Sequence, residues 1–197
     1  MINNGIDSDK VNAVVQSDFT DTLGMTRTII TADGKTKSHV NEENSASKEV
    51  YDDYLTWVNT KFHFEKCAIV FLDHGGGLNE VGVDEKPKGF MKTTEIRKSL
   101  KKFNKKRGKK IDLVFYQVCN KASIEPLYEL SKETHFTLAS QLKIGAPNRY
   151  YQPLFETIGR SGSLNGGEMA KIIADNDGID MYSFYTCIDN SKFDELR

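Results

Sequence analysis

The sequence predicts an α/β fold: a mostly parallel central sheet of about six strands with helices on both faces, a three-layer α/β/α sandwich. Three observations carry this. Short apolar runs alternate with amphipathic stretches along the chain. Two of the runs, residues 67–72 and 111–118, are almost wholly apolar, as parallel strands buried on both faces are. No internal repeat and no Gly-Ser or Pro-rich linker divides the 197 residues, so residues 1–197 form a single domain, long enough to bury a real core.

After a polar start, Val11-Asn12-Ala13-Val14-Val15-Gln16 reads as a first strand. Residues 25–31, rich in β-branched side chains, read as a second, closed by Ala32-Asp33-Gly34. Residues 35–48 are polar and rich in Ser, Asn and Glu, the composition of a surface loop. A helix is predicted over about 48–62, where Val50, Tyr54, Leu55 and Val58 make an inward stripe. A strand over 68–72 follows. Residues 75–90 hold five glycines, a proline and mixed charges, which predicts a long mobile loop of the kind that carries function. Thr93 or Thr94 is expected to cap a helix whose Ile96, Leu100 and Phe103 line one face. The next strand ends at Cys119, a helix over 122–132 places Ile124, Leu127 and Leu130 for burial, and residues 136–139 make a short strand. Residues 141–151 read as an irregular, aromatic and basic loop. Ser163, with Gly166 and Gly167 behind it, leads into a helix at about 168–175. A last strand over 181–188 precedes Ser191-Lys192-Phe193-Asp194-Glu195-Leu196, which reads as a first helical turn. That ending is expected to be cut short, or completed by a partner chain.

The apolar fraction of 38% is too high for a disordered chain. Basic and acidic residues number 27 and 28, so the net charge of −1 gives no overall pull toward nucleic acid or anionic membranes. One local cluster stands out: Lys98, Lys101, Lys102, Lys105, Lys106, Arg107, Lys109 and Lys110. Aromatics do not interleave with these charges, so a solvated helix face, favoured near the helix C-terminus by the dipole, is expected over a nucleic-acid patch. No apolar stretch approaches the ~20 residues of a membrane span, and the N-terminus lacks an apolar signal core. The expectation is a cytoplasmic chain without a membrane partner. Cys67, Cys119 and Cys187 are odd in number and widely spaced, which argues against a disulfide framework or a metal knuckle. Cys67 and Cys187 are expected as small buried hydrophobes.

The chemistry lies at two strand ends. One apolar run stops at Asp73-His74-Gly75-Gly76-Gly77 and the other at Gln117-Val118-Cys119-Asn120, with His74 and Cys119 45 residues apart. Parallel strands deliver such groups to the carboxyl edge of a sheet. A thiol and an imidazole together there are the parts of a cysteine hydrolase. Cys119 is the candidate nucleophile and His74 the candidate general acid. The backbone N–H groups of Gly75 and Cys119 are the candidate oxyanion donors, each worth ~3–4 kcal/mol where such donors have been removed in other enzymes. A glycine after the histidine lets the backbone approach the substrate closely. His39, His63 and His135 have no comparable setting, and His135 reads as a surface residue before a strand.

His-Gly-Gly at the end of one apolar strand, followed by an apolar strand ending in Cys, resembles the caspase-like cysteine peptidases, a group that includes clostripain, gingipain, legumain, separase and the caspases. The chain is most similar to the clostripain family. The likeness runs through the first strand, Thr26-Arg27-Thr28-Ile29-Ile30, Leu72-Asp73-His74-Gly75-Gly76-Gly77, Ile111-Asp112-Leu113, Leu138-Ala139-Ser140 and the tail from Ile188 to Leu196. It implies a caspase-like fold and an endopeptidase acting on protein or peptide substrates without a cofactor. It also implies activation by proteolytic processing, by the chain itself or by another protease, and in some members calcium. Residues 79–92 are the expected processing segment, offering Asp84, Lys86, Lys88 and Lys92. No loop carries the dense oxygen ligands of a calcium site. The alternative is a caspase-like binding or regulatory module that does not turn over, or does so only with a partner.

Where the clostripain family usually has Asp two residues before the cysteine, this chain has Gln117. The resemblance to caspases, which carry Gln there, implies a pocket for an acidic or neutral polar side chain. Lys143 and Arg149, in the loop after Ser140, agree with that reading, while Asp18 or Asp21 beyond the first strand would restore a negative wall. Tyr150-Tyr151 with Phe155 reads equally as a substrate wall and as packing.

Overall fold

All seven residues of β7 (Ile111–Gln117) are buried, and the fold is built around them. Their side chains alternate between two cores. Val114, Tyr116 and, just past the strand, Val118 enter one, while Leu113 and Phe115 enter the other. The computed structural model describes residues 2–19, 24–41, 44–85, 88–145, 148–177 and 184–196. Within it β7 pairs in parallel with β4 (Ala68–Leu72) and with β8 (Thr134–Ser140), and β9 (Tyr185–Asp189) adds an antiparallel edge beyond β8.

The first core is covered by α2 (Lys48–Lys61), α3 (Thr93–Arg107) and α4 (Ile124–Leu130), which bury Tyr51, Leu55, Ile96, Leu100, Phe103 and Leu127. Burying each such side chain is worth ~1.5–3 kcal/mol. The second core is covered by α5 (Tyr151–Ser161) and α6 (Gly166–Asn176) through Leu154, Met169, Ala170 and Ile173. α6 sits so close that a Cβ at Gly166 would lie 2.0 Å from the carbonyl oxygen of Asp112. Helix ends are capped locally: the Ser47 hydroxyl accepts Val50 N–H at the start of α2, and Gly108 closes α3 in the left-handed conformation at φ 72°. At the start of α3 it is Lys92, rather than Thr93 or Thr94, that occupies the cap position, its N–H donating to Glu95.

The three layers agree with the sequence expectation, but among the described residues the central sheet has four strands rather than about six. β1 (Ala13–Ser17) and β2 (Thr26–Thr31) pair with each other and with β3 (Gly34–His39) in a separate antiparallel sheet. The turn at Ala32-Asp33 folds β3 back on β2, so the exposed residues 35–39, expected as loop, form a strand. This sheet is tied to α2 by the Arg27–Asp53 ion pair at 2.7 Å and by Tyr54 Oη donating to Val14 O at 2.8 Å. Ile6, Val11, Ala13 and Ile30 cluster against Phe155 and Ile158 of α5. In consequence β4 is an edge strand, with Val70 36% and Leu72 59% exposed, and not a strand buried on both faces.

The predicted mobile loop is instead a hairpin, β5 (Glu80–Glu85) and β6 (Lys88–Lys92). Lys86 lies outside the described residues, as do Asp21 and the first residues of the predicted last strand. α5 is a helix that the periodicity does not announce, because Pro153 and Gly159 interrupt it. The chain from Asn190 to Leu196 forms a 3-10 helix.

Candidate active site

The register of β4 and β7 brings side by side the two strand ends that lead to His74 and Cys119. β4 and β7 pair from Ala68 with Leu113 to Leu72 with Gln117, a constant offset of 45 residues. Carried two residues past both strand ends, that offset sets His74 opposite Cys119. The backbones touch there: a Cβ on Gly75 would lie 2.3 Å from Cys119 O and 3.2 Å from Cys119 N. Only glycine fits at that approach. His74 is exposed and Cys119 half-buried, so both reach solvent from the carboxyl edge of the sheet. The N–H groups of Gly75 and Cys119, expected as oxyanion donors, thus belong to adjoining backbone segments.

The turn after Cys119 is fixed by hydrogen bonds to the end of β8. Asn120 adopts φ 59°, a conformation asparagine tolerates better than most residues. Its N–H donates to Leu142 O at 3.2 Å, and the N–H groups of Lys121 and Ala122 donate to Ser140 O at 2.8 and 2.9 Å. The thiol donates to Ile144 O at 3.7 Å. The sulfur therefore rests against the loop at residues 141–145, and no hydrogen bond among the described residues reaches the His74 ring. The His74 backbone is held from the other side. Asp73 accepts His74 N–H through Oδ1 and Val83 N–H, at 3.1 Å, through Oδ2, and Gly75 bridges Val81. The histidine loop is thereby stitched to β5.

Among the expected pocket residues, Gln117 is 4% exposed and accepts a hydrogen bond from Tyr151 Oη at 2.7 Å. Lys143 is exposed and stands between Leu142 and Ile144, whose carbonyls meet the Cys119 turn. Arg149 is exposed on the same connection, just before α5. The remaining three stand apart from that loop. Ser140 is fully buried, and its hydroxyl accepts Leu142 N–H at 3.1 Å, so it shapes the turn rather than lining a pocket. Tyr150 is also fully buried, its ring edge-on to Phe115 at 5.7 Å, and burial drives its phenol strongly upward in pKa; it belongs to the core. Asp18 stands exposed past β1 in the separate sheet, and no described hydrogen bond or ion pair ties it to the Cys119 edge.

Two charged side chains at this edge escape the sequence reading, Lys121 and Glu80. Lys121 Nζ donates to Gly77 O at 2.6 Å and Glu80 Oε2 accepts Gly77 N–H at 2.8 Å. The only signal for Lys121 is its place two residues after the cysteine.

The other expectations resolve away from this edge. Burial pushes the Cys67 thiol up to about 12, and its side chain packs on the first core, while Cys187 is exposed rather than buried. The basic run lies along the solvated face of α3 and just beyond it. Seven of the eight side chains are exposed, and the Arg107 guanidinium lies over Phe64 at 4.7 Å. No group of three or more His, Cys, Asp or Glu side chains converges among the described residues. No helix among them is long and apolar enough to cross a membrane.

Residues 3–196 match the family model of Peptidase C11, the clostripain family. Among solved structures the chain is similar to a secreted C11 cysteine protease from Bacteroides thetaiotaomicron in complex with an irreversible peptide inhibitor. The TM-score is 0.76 at 17% identity, over 99% of this chain and 61% of that one. It is also similar to an inactive zymogen C11 protease from Parabacteroides distasonis, with TM-score 0.72 at 16% identity over 99% of this chain and 57% of that one. The chain thus spans about three-fifths of the length of these structures. A comparison with curated proteins finds no match.

Proposed function

This chain belongs to the clostripain family, and from that premise we propose that it is a cysteine endopeptidase working through a Cys119–His74 dyad. The observation that supports the reading is the parallel register of β4 and β7, whose ends lead to His74 and Cys119, together with Gly75 packed against the Cys119 backbone. Cys119 gives its thiol proton to His74, and the sulfur electron pair forms a bond to the scissile carbonyl carbon. The N–H groups of Gly75 and Cys119 receive the oxyanion. Collapse breaks the C–N bond as His74 protonates the departing amine. Water then attacks the thioester, passing its proton to His74, and the C–S bond breaks to restore the thiol.

The hydrogen bond from Cys119 to Ile144 O describes a resting thiol, which must turn toward His74 before it can attack. Cleavage in the β5–β6 hairpin is the proposed trigger, since β5 is bound to Asp73 and Gly75 on either side of the histidine. The same resting bond favours the second reading, a module that keeps the fold without turnover. Labelling with a peptide-based alkylating probe separates them. The dyad requires labelling to be lost in Cys119→Ala and much slowed in His74→Ala; equal labelling in all three proteins leaves only the second reading.

The substrate pocket is proposed to prefer an acidic or neutral polar side chain before the scissile bond. With its carbonyl oxygen taken by Tyr151, Gln117 has its amide N–H groups left to donate, and Lys143 adds positive charge to the loop whose Ile144 carbonyl meets the sulfur. Fluorogenic peptides ending in Arg, Lys, Asp, Asn and Gln test this. Cleavage is expected after Asp, Asn or Gln, and exclusive cleavage after Arg sinks the preference.

A further inference from the structure

Lys121 is 0% exposed, whereas Lys66, Lys102, Lys171 and Lys192 pair with carboxylates from side chains that are themselves largely in solvent. Lysine is almost never buried to this degree unless its charge is paired, because an ammonium taken out of water costs several kcal/mol. Here the charge is directed to one place. The backbone of Lys121 is anchored on β8, where its N–H donates to Ser140 O, and its side chain crosses to the histidine loop, where Nζ donates to Gly77 O at 2.6 Å. Gly77 O also accepts Glu80 N–H at 3.0 Å, and the Glu80 carboxylate accepts Gly77 N–H at 2.8 Å. One peptide unit on each side of Gly77 is therefore held by a charged side chain, positive on its carbonyl and negative on its N–H. Burial lowers the Lys121 pKa and the Glu80 charge opposes that fall, so the two side chains also sense each other.

The turn so held leaves little freedom. A Cβ on Gly76 would lie 2.7 Å from Glu80 Oε2 and 2.9 Å from Phe90 Cε1, so the middle of the glycine run is enclosed as well. This turn connects directly to His74, whose separation from Cys119 is set by how the Gly75–Gly77 backbone lies on the cysteine turn. Lys121 starts from the cysteine turn and ends on the histidine turn. It is a link between the two halves of the candidate dyad, made through side chain to backbone.

Building on the dyad reading, we infer that Lys121 and Glu80 are positioning residues: together they clamp Gly77 and so hold His74 at working distance from Cys119. Neither touches the reacting atoms. The burial of Lys121 is then explained by alignment, which a neutral side chain of similar length would not supply.

The test compares Lys121→Met, which keeps the stem and removes the charge, with wild type, with the exposed-face control Lys105→Met, and with Cys119→Ala and His74→Ala. A displacement of about 1 Å in a reacting group can cost ~100-fold in rate, so kcat for a fluorogenic peptide should fall ~100-fold in Lys121→Met. KM should stay close to wild type, because the peptide pocket is untouched. Alkylation of Cys119 by iodoacetamide, read at that residue by mass spectrometry, should slow in Lys121→Met toward the rate of His74→Ala, because the thiolate forms by proton transfer to an aligned His74. Glu80→Ala should lose kcat in the same manner, and Glu80→Gln, which keeps an acceptor for Gly77 N–H, should recover most of it. If Lys121→Met does not fold, the Glu80 pair decides. Wild-type kcat in a folded Lys121→Met overturns the clamp, as do equal losses in Glu80→Ala and Glu80→Gln. Turnover that survives Cys119→Ala or His74→Ala instead overturns the dyad, which keeps the two failures distinct.

Discussion

Replacing Gly75 by alanine puts a Cβ 2.3 Å from the carbonyl oxygen of Cys119, and no flexible side chain is there to yield, because the contact is backbone. Either the histidine loop or the cysteine turn must move. Overpacking of this kind costs ~1–3 kcal/mol, and the accompanying displacement of His74 should lower kcat ~100-fold. Thermal melting and peptide turnover of Gly75→Ala check both; near-normal turnover would mean that the approach of the two backbones is not needed for activity. The parallel pairing of the two strands that lead to His74 and Cys119 was legible, since two apolar runs ending in reactive side chains at one spacing suit neighbours in a sheet. Ser140 and Tyr150 were not. A serine and a tyrosine beside a polar loop read as pocket residues, and only the packing against Phe115 and the turn at Leu142 shows them to be interior. Lys121 was the least legible, because an isolated lysine in a sequence reads as a solvated one.

The β5–β6 hairpin shows the same limit at the scale of an element. Its glycines and mixed charges suggest a loop, yet its strands pair through an irregularity between Val81 and Asp84 and its outside anchors are long-range, so neither leaves a local periodicity. Buried Asp84 is the principal anchor at the far end: Oδ2 accepts Ser45 N–H at 2.7 Å and Ser45 Oγ–H at 3.1 Å. Ser45 precedes the cap of α2, so the hairpin is fastened to a rigid part of the first layer. Asp84→Ala orphans the Ser45 donors and should cost ~1–3 kcal/mol. It should also open the hairpin to proteolysis at Lys88 before the rest of the chain unfolds. Limited trypsin digestion followed by mass spectrometry reads this. Cleavage no faster than in wild type would show that the hairpin is held without Asp84, and would weaken its proposed role in fastening the resting site. β3 and α5 escaped prediction for related reasons. β3 has no buried face at all, and α5 carries Pro153 in its first turn, where proline is tolerated, and Gly159 where the helix meets Asp7 and Ser8.

At the scale of the whole molecule, the three layers followed from alternating strands and helices, whereas the strand count did not. Whether β1 and β2 join the main sheet or pair with β3 depends on a polar hairpin without an apolar signature. The layers themselves have a pH consequence. The cores hold Tyr51 and Tyr116, whose phenols are raised by burial and whose hydroxyls have no partner among the described residues, together with the Cys67 thiol at about 12. In the unfolded chain such groups ionise near their ordinary values, ~8.5 for Cys and ~10 for Tyr. Their folded pKa values are raised, so the stability they contribute is fully present below the unfolded values and is lost as pH rises toward and through the folded ones. Stability should therefore be level up to about pH 8.5 and fall above it, by up to ~1.4 kcal/mol per pH unit for each group. Urea unfolding midpoints measured across that range test the slope. The tyrosinate absorbance of the buried tyrosines should rise together with loss of the fold, and Tyr116→Phe should flatten the alkaline decline while leaving neutral stability unchanged or higher, since it removes an unpaired buried hydroxyl. Smooth titration of every tyrosine near pH 10 in a folded protein would contradict the burial on which both cores depend.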